Sequence, residues 1–162
     1  NIINNLTTED IKNLDFIILI SLLIVDQKDN VEYFLYKFNF AKNDKKRILF
    51  LNTFFAKKIN KKTFSKQNLW KFFYHHGKQS LLDLLNYQIL KSQKKDNKLL
   101  DLIVFFKDKD SPKLPIKAET LMNEFNMSEG KELGLKLKMI EDKWISNNFN
   151  ISDNEIKKLI LD

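Results

Sequence analysis

The sequence predicts an all-α fold, a multi-helix array of about eight short-to-medium helices with a small helical subdomain at the C-terminal end. Three observations lead there. Apolar residues recur at three- and four-residue spacing along most of the chain. Only three Gly and two Pro occur in 162 residues, few for a protein built on tight hairpins. Alternating, strand-like patterning is confined to one short stretch, and no partner strand stands near it to make a sheet.

The first element opens at Thr7 or Thr8, with Glu9 and Asp10 in its first turn. A hydroxyl cap followed by acids answers the free amides of a helix N-terminus. Leu14, Ile17, Ile18, Leu22 and Val25 then follow at helical spacing. Asp26 to Asn30 is a turn. Val31 to Phe40 carries Tyr33, Phe34, Tyr36, Phe38 and Phe40, whose partial alternation suits a strand. Without a partner it is expected as a short helix and loop. Asn43 or Asp44 caps the next helix, whose apolar stripe is Ile48, Leu51, Phe55 and Ile59. Lys57 to Lys62 is a basic link.

Ser65 caps a helix through Leu69, Phe72 and Phe73, and Gly77 stands where a helix C-terminal glycine belongs. A helix resumes from Lys78 to Lys91. Gln93 to Asn97 is a polar break, and Leu99 to Phe106 a short apolar helix. Lys107 to Pro115 holds both prolines and no apolar period, so it divides the chain into regions 1–107 and 108–162. Three helices follow: Lys117 to Phe125, Gly130 to about Ser146, and one starting at Ser152. Ser152 and Glu155 have capping-box spacing.

Composition bounds the rest. The apolar share is 43% with 14 Phe, a globular composition. There is no Cys, so disulfides and thiolate metal sites are excluded. A reducing cytoplasm fits that. The most apolar stretch, Phe16 to Val25, is about half the ~20 residues a membrane-spanning helix needs, and is expected as a buried helix. The first residue is Asn1, which points to a start inside a longer protein or to processing.

Net charge is +7, and Arg47 is the only arginine. The abundance of Lys, Asn, Ile and Phe suggests an AT-rich genome, so bulk charge says little. Its distribution says more. Residues 1–41 hold three Lys and six acids, residues 42–98 hold 15 basic residues and three acids, and residues 99–162 hold 10 Lys and 12 acids. Base composition alone raises Lys without removing acids from one block. The middle block is either an RNA-facing surface or a solvated lysine-rich face.

No catalytic constellation stands out. His75 and His76 are neighbours, about 100° apart on a helix, and so cannot share one metal as an i, i+4 pair can. Asp108-Lys109-Asp110 resembles the metal-binding aspartates of nucleotide polymerases, but it sits in a proline-flanked loop without the strand and Gly-Ser turn such sites need. Most aromatics lie on apolar stripes. Trp70 and Tyr74, inside the basic block, either pack or offer stacking platforms for single-stranded RNA.

From Leu114 the chain reads Leu-Pro-Ile-Lys-Ala-Glu-Thr-Leu-Met, then Ser128-Glu-Gly-Lys-Glu-Leu-Gly134, then a helix ending in Trp144-Ile145. This resembles the tail of bacterial tRNA nucleotidyltransferases, the CCA-adding enzymes and poly(A) polymerases. Their Pro-Leu-x-Gly-x-Asp-Leu-Met segment precedes Pro-Gly-x-Glu-Leu-Gly and a helix ending in Trp-Ile. Pro115, Leu121, Met122, Gly130, Glu132, Leu133, Gly134, Leu137, Trp144 and Ile145 match; Ala118 and Thr120 depart from the family's Gly and Asp. Upstream, Phe40-Ala-Lys-Asn-Asp-Lys-Lys-Arg47 is similar to a Leu-Ser-Asn-Ala-Glu-Arg segment, and Phe73-Tyr-His-His-Gly-Lys78 to a Tyr-Arg-Leu-Gly-Lys segment.

The resemblance implies an RNA-holding body and tail, which positions the RNA 3′ end for nucleotide addition by a catalytic head. That head would carry a Gly-Ser turn and two aspartates and use ATP, and for CCA addition CTP, with Mg²⁺. Glu9-Asp10-Ile-Lys-Asn13 has half of the family's Glu-Asp-x-x-Arg nucleotide-reading motif, but Asn13 cannot present an arginine's fixed paired donors. The segment is therefore expected to be inactive alone, to hold no cofactor of its own, and to bind tRNA or other RNA beside the head and neck of the same polypeptide, with no membrane. Lys57, Lys58, Lys61, Lys62, Lys66, Lys71, Lys117, Gly130 and Lys131 are the candidate RNA contacts. Gly130 opens a helix, so its bare backbone either lets a phosphate approach the amides or, with Gly134, lets helices pack closely. The alternative to RNA holding is a helical protein-interaction or dimerisation module.

Overall fold

Asp15 caps the first described helix, its carboxylate accepting from the Ile17 amide at 2.8 Å. The computed structural model describes residues 15–25, 30–57, 59–92 and 96–161. Among them are eight α-helices, one 3-10 turn and no strand, as the sequence pattern predicts. The helices are α1 (Phe16–Ile24), α2 (Val31–Lys37), α3 (Lys42–Phe55), α4 (Lys66–Ser92), α5 (Asn97–Lys107), α6 (Ala118–Phe125), α7 (Lys131–Ser146) and α8 (Asp153–Leu161), with the 3-10 turn at Lys61–Phe64. The chain divides into two compact units, Asn1–Asp110 and Ser111–Asp162. The expected helix start at Thr7 or Thr8 lies outside the described residues.

In the first unit α4 packs against α1, α3 and α5. The core joins Ile18 of α1, Leu35 of α2, Ile48 and Leu51 of α3, Leu69, Phe73, Leu81 and Tyr87 of α4, and Phe106 of α5. The apolar stretch Phe16 to Val25 buries one face only: Phe16 and Leu23 are each 62% exposed. Ser21, buried within it, satisfies its hydroxyl on the Ile17 carbonyl at 2.7 Å. Val31–Lys37 is indeed a helix, capped by Asn30.

One expected cap is wrong. Ala41 occupies the N-cap of α3 with no side-chain bond, and Asn43 and Asp44 lie within the helix. Asp44 still favours that end, because a carboxylate in the first turn faces the positive end of the helix dipole.

Gly77 breaks α4 without ending the run. Its φ of 79° and ψ of 172° interrupt the helix, and helical backbone resumes at once on the other side. A β-carbon there would meet nothing within 4 Å, so backbone conformation is what calls for glycine.

Asparagine serves elsewhere. Asn39 and Asn148 adopt left-handed φ of 47° and 57° just after α2 and α7. At α7 the Phe149 amide donates to the Trp144 carbonyl at 2.8 Å and the Asn148 amide to that of Ile145 at 3.2 Å. This is a Schellman closure, and its apolar contact is the edge-on pair Trp144–Phe149, with ring centres 4.9 Å apart. At α2 the Phe40 and Asn39 amides close on Leu35 and Tyr36 in the same way, and Phe40 meets Phe34 at 5.9 Å.

The second unit is three helices around Ile116, Leu121, Leu133, Ile140 and Ile156. The Ser152–Glu155 capping box forms: the Glu155 amide donates to Ser152 Oγ at 3.3 Å, and the Ser152 amide to Glu155 Oε2 at 2.9 Å.

Candidate nucleic-acid interface

The basic block folds into α3, the turn after it, α4 and the first residues of α5. The link from α3 to α4 is held by Asn60, whose side-chain oxygen accepts from the amides of Lys62 and Thr63 at 2.9 and 3.1 Å. Thr63 Oγ1 accepts from the Asn60 amide at 3.3 Å, and Asn68 donates to the Lys62 carbonyl at 2.8 Å. Exposed Lys62 projects from this braced turn, exposed Lys66 opens α4, and exposed Lys57 follows the end of α3. The Lys66 ammonium stands 3.6 Å from the centre of the Phe105 ring, a cation–π seat. Lys71 is half-buried one turn further on. Lys58, and the side chain of Lys61, lie outside the described residues.

The three acids of this block do not interleave with those lysines. Asp83 is buried and takes both Nε and Nη2 of Arg47 at 2.7 Å, with Gln79 donating at 2.8 Å. Asp96 caps α5. Asp44 sits in the first turn of α3. Arg47 also pairs with Asp15, so the one arginine ties α1, α3 and α4 together. Beside two carboxylates, Asp83 first, its guanidinium holds its proton more tightly than usual.

Concave surface lies on either side of the α3–α4 link. One hollow, about 440 Å³, is lined by Phe55, Lys57, Gln88 and Lys91 among others. Another, about 310 Å³, places Lys71 and His75 beside Phe54 and Phe72. The candidate lysines are thus shared between separate hollows. His76 lies against Phe50 and Phe72, its ring tilted 47° and 39° to theirs with centres 5.4 and 4.6 Å away. Burial, with His75 and Lys57 nearby, holds His76 below the usual histidine value. Trp70 is taken up by packing: Phe73, Phe105 and Phe106 surround it at 5.0 to 6.0 Å. Tyr74 is half-buried beside His75, ring centres 5.2 Å apart.

In the second unit, Lys117 is the exposed N-cap residue of α6. Gly130 is the exposed N-cap of α7 with φ 154°, and Lys131 is the first, exposed residue of that helix. Neither Gly130 nor Gly134 lies close to another element: a β-carbon at either would meet nothing within 4 Å. Close helix packing at these glycines is thereby overturned. Of the family-like residues, Leu121, Leu133, Trp144 and Ile145 are buried, so they build this unit rather than face a partner.

Among the described residues no three His, Asp or Glu side chains are grouped to hold a metal. Asp108 and Asp110 are exposed, with Asp108 at the end of α5. Among the described residues no helix is long and apolar enough to cross a membrane.

Sequence reasoning missed three contributors to the concave surface: Gln88, Lys91 and Lys98. Gln88 and Lys91 are three apart on one helix, which places them on one face; that spacing was the available signal. It also missed the Arg47–Asp83 pair, although a single acid inside Leu81-Leu82-Asp83-Leu84-Leu85 hinted at burial. No family model, no curated protein and no solved structure matches the chain.

Proposed function

We propose that the chain is an RNA-holding module that binds tRNA or a similar folded RNA, the body and tail of a cytoplasmic tRNA nucleotidyltransferase of the CCA-adding or poly(A) polymerase kind. The observation that carries the reading is the exposure of Lys57, Lys62 and Lys66 about the α3–α4 link, with no acid between them in the sequence. Phosphate contacts supply most of the affinity of such a surface, and folded RNA is grasped mainly through its phosphates and riboses. Lys117, Gly130 and Lys131 add exposed cations and a helix start without a side chain in the second unit. Addition of nucleotides to the RNA 3′ end, with Mg²⁺, ATP and CTP, belongs in this reading to the head and neck of the same polypeptide.

The test is tRNA binding by the chain with Lys57, Lys62 and Lys66 all changed to Glu. The reading expects affinity to fall by roughly a hundredfold at low salt, since several phosphate contacts are lost. A Lys157→Glu and Lys158→Glu control on α8 is expected to lose far less. Equal affinity of the two variants would reject the α3–α4 link as the grip.

A second reading has its own observation. Phe16, Leu23, Tyr33, Tyr36 and Phe38 on and beside α1 and α2 are 60 to 81% exposed. Large exposed apolar side chains mark protein contacts where they join into a patch. A sedimentation coefficient that rises with protein concentration, and that Tyr36→Ser and Phe38→Ser abolish, would favour an interaction or dimerisation module.

A further inference from the structure

Two hollows of the first unit run into one another. The first, about 440 Å³, has Phe55, Lys57 and Lys91 in its wall. The second, about 450 Å³, has Asn60, Phe64 and Lys98. Ile59 and Gln88 belong to both, so the pair forms one trough from the end of α3 to the first turn of α5. Its chemistry is mixed in a particular way. Three ammonium groups are spaced along it. Phe64 and Ile59, both half-buried, supply apolar wall, with buried Phe55 behind Lys91. Gln88 and Asn60 supply amides that both donate and accept. Among the described lining residues the one carboxylate, Asp96, is engaged by the amides of Lys98 and Leu99 at 3.0 and 3.3 Å. Lys91 is seated with its ammonium 5.1 Å from the centre of Phe55, placing a cation and a ring at the same spot.

A duplex does not match this surface. An A-form helix presents a convex ribbon of phosphate and ribose, with its base faces stacked inside. Ring and aliphatic walls in a concavity would meet none of them. Unpaired nucleotides do match: phosphates to lysines, a base face to Phe64 and Ile59, base edges to amides.

We propose that the trough between α3, the 3-10 turn and the second half of α4 binds an unpaired stretch of RNA, one nucleotide in each hollow, with phosphates at Lys57, Lys91 and Lys98. The proposal rests on the RNA-holding reading above and adds the kind of RNA and its place. The module then grips two features at once, a folded arm through Lys62 and Lys66 and a neighbouring single strand through the trough, with Lys57 between the two. Gln88, at the junction, is the positioning residue for the strand.

The test measures fluorescence anisotropy with three probes, a short unstructured oligouridylate, a blunt RNA duplex and tRNA, at low salt. Gln88→Trp fills the junction without changing charge. Lys98→Glu reverses a charge at one end, and Lys66→Glu makes the same change outside both hollows. Thermal melts check that each variant folds, and Lys98→Glu stands by itself if Gln88→Trp does not. The expected result is that Gln88→Trp and Lys98→Glu weaken oligouridylate binding by roughly tenfold or more, while duplex binding changes little with Gln88→Trp and Lys66→Glu affects the oligouridylate less than Lys98→Glu does. If oligouridylate affinity is the same in wild type, Gln88→Trp and Lys98→Glu, the trough is not its site, although tRNA binding leaves the broader reading intact. If no probe binds, both fall together.

Discussion

Arg47 shows how much one side chain organises. Its guanidinium meets Asp83, which is almost wholly buried, through two bonds of 2.7 Å, and reaches Asp15 at the start of α1. Removing the cation leaves a carboxylate in the core. Arg47→Met is therefore expected to destabilise the first unit by about 3 kcal/mol or more, read as a lower urea midpoint. Arg47→Met with Asp83→Leu is expected to recover much of that loss, because no buried charge is left behind. Recovery of none would mean that the pair stabilises the fold in its own right.

Tyr87 gives a pH-dependent counterpart. Burial pushes its phenol up to about 12 from an ordinary value of 10.0. A group raised on folding contributes fully below its unfolded pKa and loses that contribution as pH rises through the folded one. The stability of the first unit should thus fall between pH 10 and 12, and Tyr87→Phe should flatten that part of the urea-midpoint profile. An unchanged slope in Tyr87→Phe would show that other groups set it.

Among the elements, the glycines separate by backbone. Gly134 is helical with open space where a β-carbon would go, so Gly134→Ala is expected to stabilise the second unit by about 0.5–1 kcal/mol. Gly77 has equal space but φ 79°, so Gly77→Ala is expected to cost about 1–3 kcal/mol. Melting temperatures moving in opposite directions would bear this out; two changes of one sign would not.

These elements also show what the sequence made legible. Apolar period revealed most of the helices, and Val31–Lys37, whose aromatics alternate as in a strand, was legible only because no partner strand stands near it. The Ser152–Glu155 box was legible because both of its groups are local. Hidden were the asparagine closures after α2 and α7. In a chain with three Gly, Asn takes the left-handed position, and Asn is too common here to be a signal by itself. Also hidden was the empty space around Gly130 and Gly134, since spacing along the chain says nothing of what lies opposite.

For the whole molecule, the uneven charge was readable but its geometry was not. Depletion of acids in residues 42–98 pointed to one surface. In the fold the lysines spread over more than one hollow, while Asp96 caps α5, Asp44 sits in the first turn of α3 and Asp83 meets Arg47. The trough depends on Gln88 and Lys98, 10 positions apart on different helices, a pairing that only the packing of α4 on α5 creates. The central claim is that this surface holds RNA through phosphates. Its most direct test is the dependence of tRNA affinity on salt. Binding at low salt with a log–log slope of about −3 or steeper is expected, from four or more neutralised phosphates. Absence of binding at low salt, or affinity that does not change with salt, would contradict it.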